Sequence, residues 1–94
     1  MIGITWLSRR RRLAAAYKTL FFGGAEKMPL EEARDIVLAD LARFCRARNS
    51  TYVKGDPHQS AFLEGRREIW LRIQAFANVT DETLRKIEAQ LEGE

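Results

Sequence analysis

Cysteine, histidine and proline are scarce in this chain: of 94 residues, one is Cys, one is His and two are Pro. The lone Cys45 excludes an intramolecular disulfide and fits synthesis in a reducing cytoplasm. With His58 as the only imidazole, the usual zinc-ligand spacings are excluded, and neither an H-E-x-x-H nor a P-loop sequence occurs. Six Gly and two Pro are too few for a collagen-like or disordered chain, while 46% apolar residues argue for folding. No stretch approaches the ~18 apolar residues of a membrane span. The apolar opening MIGITWL precedes its arginines, the reverse of a secretory signal. No cofactor, no metal and no membrane partner are expected.

The charge that is present is unevenly placed. Lys and Arg number 16 against 13 Asp and Glu, a net charge of +3. Residues 1–28 carry six positives against one negative, residues 29–78 are nearly balanced, and residues 79–94 carry two positives against five negatives. A chain basic at its start and acidic at its end favours head-to-tail contact with its own copies or with an acidic partner.

Hydrophobic spacing predicts an all-α fold, a small three- to four-helix domain built on a helical hairpin with a basic N-terminal arm or helix. Residues 1–28 form that docking arm and first helix, and residues 29–94 the helical domain. The first helix is expected from Ser8 to Phe22, stopped by Gly23-Gly24. Arg9 to Arg12 then fall at the positive end of its dipole, which predicts a helix that frays alone and is partly detached. The second helix starts at Pro29, with Glu31 and Glu32 in its first turn and a stripe of Ala33, Val37, Leu41 and Phe44, and ends near Asn49. Asp56 and Pro57 cap and open the third, in which Phe62, Gly65, Ile69, Ile73 and Phe76 share one face. A mid-helix glycine costs about 1 kcal/mol relative to alanine, so Gly65 is expected where another helix approaches, crossing near Leu41. Thr80 caps a short fourth helix with Leu84, Ile87 and Leu91 as its stripe.

Few residues are equipped for chemistry. Cys45 lies among apolar neighbours and reads as a buried, inert thiol rather than half of a Cys45–His58 pair. Glu64 and Glu68 sit among Arg66, Arg67 and Arg72 and read as ion-pair partners, not an acid–base couple. No catalytic residue is assigned, and the chain is not expected to be an enzyme. The arginine run has two open readings: Arg9, Arg10, Arg11 and Arg12 meet nucleic-acid phosphates, or they pair with carboxylates of a neighbouring protein. Ile2, Ile4, Trp6 and Leu7 form an apolar start expected to dock on a partner. Arg66, Arg67, Trp70 and Arg72 combine the two residue types that interface cores enrich, and are expected to bind a partner as well.

Residues 38–76, LADLARFCRARNSTYVKGDPHQSAFLEGRREIWLRIQAF, carry a resemblance. Phe44-Cys45, Ser50-Thr51, Asp56-Pro57, Phe62, Glu64-Gly65-Arg66-Arg67 and Trp70-Leu71-Arg72-Ile73 resemble a family of small tailed-bacteriophage proteins with a founding member in a Bordetella phage. The resemblance implies a virion component or assembly factor, made in the host cytoplasm and present in multiple copies in a symmetric assembly. It implies portal, head-tail junction or internal ejection proteins as partners, and no catalytic residues. The alternative is a nucleic-acid-binding protein that contacts packaged DNA through Arg9 to Arg12.

Overall fold

Four helices order the chain: α1 (Ile2–Phe22), α2 (Leu30–Phe44), α3 (Pro57–Ala77) and α4 (Asp81–Glu92). The structure, a computed structural model, describes residues 2–23 and 28–93, and no strand occurs among them. The all-α expectation holds. Contacts divide the chain into two units, Met1–Leu38 and Ala39–Glu94. The division falls inside α2.

In the first unit, α1 begins at Ile2, earlier than the expected Ser8. Arg9 to Arg12 therefore lie two turns inside the helix, beyond the reach of the terminal dipole, and the conflict that suggested fraying disappears. Nor is the helix a bare arm. Ala16 and Thr19, one turn apart, are buried, and Arg12 Nη2 lies 2.9 Å from Glu32 Oε1 in the opening of α2. Tyr17 and Phe21 stack with centroids 6.0 Å apart. Gly23 ends the helix at φ +75°, its N–H donating to the Thr19 carbonyl at 3.0 Å. Met28, Ala33, Ile36 and Val37 are buried, so the first half of the expected α2 stripe is inward, while Leu30, in the opening turn, is exposed.

The second unit begins with the end of α2. That helix stops at Phe44, short of Asn49, because Arg46 adopts φ +56°. The Ala47 N–H donates to the Ala42 carbonyl at 2.9 Å and the Arg46 N–H to the Arg43 carbonyl at 3.1 Å. This pair of bonds is a Schellman cap, here with arginine in the place glycine usually takes. Asp56 caps α3 by accepting from the Gln59 N–H at 2.9 Å, with Pro57 in the first turn. Thr80 caps α4 by accepting from the Thr83 N–H at 3.0 Å, with Asp81 and Glu82 in the first turn. Both caps match the expectation. Ala42, Cys45, Leu63, Trp70, Val79, Leu84 and Ile87 are buried.

The orientation of α3 differs from expectation. Phe62, Gly65, Ile69, Ile73 and Phe76 were to face inward and cross α2 at Leu41. Instead Leu63 and Trp70 are buried, whereas Phe62 and Ile69 are each 55% exposed and Phe76 is 80% exposed. A Cβ at Gly65 would meet nothing within 4 Å, so no crossing uses its missing side chain. The helix is turned by roughly a third of a revolution from the expected setting. Polar side chains explain the turn: Ser60, Glu64 and Arg67, on the strip beside Leu63 and Trp70, bind the α2–α3 connection and have to face it.

Candidate interaction surface

The inner side of α3 is a clamp on the chain that precedes it. The Ser60 hydroxyl accepts from the Val53 N–H at 2.8 Å and donates to the Asp56 carbonyl at 3.0 Å. Thr51 donates its hydroxyl proton to the Glu64 carboxylate. One turn on, Arg67 Nη1 reaches the carbonyls of Arg46, Ala47 and Asn49 at 3.2, 3.3 and 3.4 Å. A guanidinium on carbonyls just past a helix C-terminus meets both unsatisfied acceptors and the negative end of the dipole. Arg46 completes the turn, its Nη2 donating to the Ser50 carbonyl at 2.9 Å. Arg48 pairs with Glu88 of α4 at 2.5 Å, and Gln74 donates to Asp81 at 3.1 Å.

Cys45 lies behind this clamp with 1% exposure and no disulfide. Burial pushes its thiol pKa up, and Asp40 adds to the rise; Arg66 and the Trp70 backbone N–H pull the other way without cancelling it. The inert-thiol reading fits this environment, and His58, in the first turn of α3, is exposed.

The outer side of α3 is apolar and cationic. Phe62, Arg66, Ile69, Ile73 and Phe76 alternate four and three residues apart, the spacing of one seam on a helix. The Arg66 guanidinium is held between two rings, 4.2 Å from the Phe44 centroid and 4.6 Å from that of Phe62. Arg72 lies over Phe76 at 5.1 Å. Ile69, Arg72, Ile73 and Phe76 line an open groove of about 360 Å³. A contiguous apolar patch of this kind on a small chain marks an interaction site more often than not.

Of the residues expected to bind a partner, α3 thus brings only Arg66 and Arg72 to the open face. Two of the expected residues lie away from that face. Trp70, 1% exposed, belongs to the core together with Cys45 and Leu84, both buried. Arg67 is committed to backbone carbonyls. Reading the sequence by residue type missed Phe44, Phe62 and Phe76 as surface groups. The available signal is Arg66, a charge one turn after Phe62 and one before Ile69, beside the apolar row that reads as core.

At the N-terminus, Trp6 and Leu7 are 55% and 47% exposed, and Arg10 lies over the Trp6 ring at 5.1 Å. Ile2 and Ile4 fall in the first turn of α1, with side chains outside the described residues. Arg9 to Arg12 succeed each other at about 100° around the axis, so they do not converge on one ligand. Arg12 turns to Glu32. No group of three His, Cys, Asp or Glu gathers to hold a metal among the described residues, and no described helix is long and apolar enough to cross a membrane.

Compared with known families, residues 17–90 match the model of the Bbp19-like phage proteins. The chain belongs to the Bbp19-like phage protein family. No curated protein and no solved structure matches it. The match reaches well beyond residues 38–76, which carry the sequence resemblance, and takes in most of α1 after the arginines. Arg9 to Arg12, Trp6 and Leu7 all precede it. The residues that carried the resemblance to the Bbp19-like proteins are largely those that build the hairpin. Asp56-Pro57 starts α3, Thr51 and Glu64 tie the loop, Arg67 covers the turn, and Trp70 lies against Cys45. Phe44, Phe62 and Arg66 are the exception, since they meet on the open face.

Proposed function

We propose that this Bbp19-like protein is a structural or assembly component of a tailed-phage particle. In this reading many copies dock on a symmetric partner: the portal, the head-tail junction or an internal ejection protein. The observation that carries it is the open α3 face. A chain of 94 residues leaves Phe62, Ile69 and Phe76 more than half exposed on one helix, beside two stacked guanidiniums. Exposing that much apolar surface has a cost in solubility that a docking role explains. Membership of a phage family sets the context in which the partner is sought.

The reading treats the chain as a binding protein with no catalytic role. Mass spectrometry of purified particles tests it. The protein is expected there at a fixed copy number, a multiple set by the symmetry of the partner. Its absence from washed, intact particles and from assembly intermediates overturns the reading.

A further inference from the structure

Resting on that reading, we infer that the α3 face receives an amphipathic helix of another protein, one that carries carboxylates beside its apolar row. The seam through Phe62, Ile69 and Phe76 has the four-and-three spacing that a second helix would match knob by knob. Gly65 lies on the same side, and a Cβ there would touch nothing. Its bare backbone gives no support to the chain's own packing and allows an incoming helix to approach closely.

Charge selects the occupant. Arg66 stands on the seam and Arg72 at its edge, about 60° from Ile69, while Glu64 is turned to Thr51 and Glu68, one turn before Arg72, lies farther round at about 100° from Ile69. Both guanidiniums therefore lie nearer the seam than either carboxylate of α3. An α3–α3 pair between two copies of this chain fits badly. In a parallel α3 pair Arg66 meets Arg66, and in an antiparallel pair centred on Ile69 it meets Arg72 of the other copy. Like charges set together across an interface cost several kcal/mol, whereas carboxylates facing the two guanidiniums steer and orient the encounter. Stacking on Phe44 and Phe62 already holds Arg66 in place, which lowers the entropy lost when it pairs.

The test uses the full chain and two designed 21-residue helical peptides with the same leucine seam, one flanked by glutamates and the other by lysines. Fluorescence anisotropy at physiological salt is expected to show binding of the glutamate peptide at least about tenfold tighter than that of the lysine peptide. Arg72→Glu is expected to reverse the preference, and Ile69→Ser with Phe76→Ser to abolish binding, each with a melting curve like that of the parent because these side chains lie outside the core. Failure of the glutamate peptide to bind, indifference to Arg72→Glu, or binding that survives loss of Ile69 and Phe76 overturns the inference. So does a concentration-dependent dimer in sedimentation that Ile69→Glu dissolves. None of these results removes the protein from purified particles, so the assembly reading stands or falls separately.

Discussion

Gly65 shows how a single position changes meaning once the helix setting is known. Read from the sequence, it should tolerate nothing larger, because a second helix was expected to lie on it. In the structure its missing side chain faces open space. Gly65→Ala is then expected to stabilise the isolated chain by up to about 1 kcal/mol, from helix propensity and a less disordered unfolded state. Thermal unfolding by circular dichroism reads this directly, and a drop in melting temperature would restore the buried crossing. Cys45 makes a second residue-scale prediction. Its thiol pKa is raised by burial above the ordinary 9.0. The folded state then holds the proton longer than the unfolded state. The stability this gives is fully present below about pH 9, where both forms are thiols, and is lost as the pH climbs through the higher folded value. Melting temperatures measured from pH 8 upward should therefore fall less steeply for Cys45→Ala than for the parent, even though the alanine variant starts lower from its smaller core side chain.

At the scale of elements, the helix boundaries that rest on local chemistry were legible. Asp56-Pro57 and Thr80-Asp81-Glu82 announce α3 and α4 because a cap acts on backbone groups two or three residues away. The end of α2 was not, since Arg46 in a left-handed conformation is a choice made by tertiary contacts. Nothing in the run Phe44 to Asn49 announces that Arg67, some twenty residues on, will cover its carbonyls. The face of α3 was misjudged for a related reason. Four apolar residues and a glycine at helical period look like core, and only the opposite strip of Ser60, Glu64 and Arg67, read for hydrogen bonds rather than polarity, shows which side meets the loop. Arg67→Met tests that account. It keeps the aliphatic bulk and removes three charged contacts to carbonyls, so a loss of about 1–2 kcal/mol is expected, discounted for the partial exposure of the guanidinium. Chemical denaturation measures it; an unchanged midpoint would show that water serves those carbonyls equally well.

At the scale of the whole molecule, two cationic features compete for the same role: the arginine run of α1 and the α3 face. Salt separates them. Binding to DNA phosphates through Arg9 to Arg11 depends on released counterions and collapses as salt rises. Docking through Phe62, Ile69 and Phe76 is mainly the removal of apolar surface from water, and only its Arg66 and Arg72 component is screened. The protein is therefore expected to stay with its particle or assembly partner at 1 M salt, where the screening length is about 3 Å. Replacing Arg9, Arg10 and Arg11 with alanine should leave that retention unchanged and keep the fold, because all three are exposed and Arg12 alone is tied to Glu32. Replacing Ile69 and Phe76 with serine should release the protein at every salt concentration. The opposite pattern, release of the parent by salt and of the triple-alanine variant without it, would move the function from the third helix to the first and make phosphate the partner.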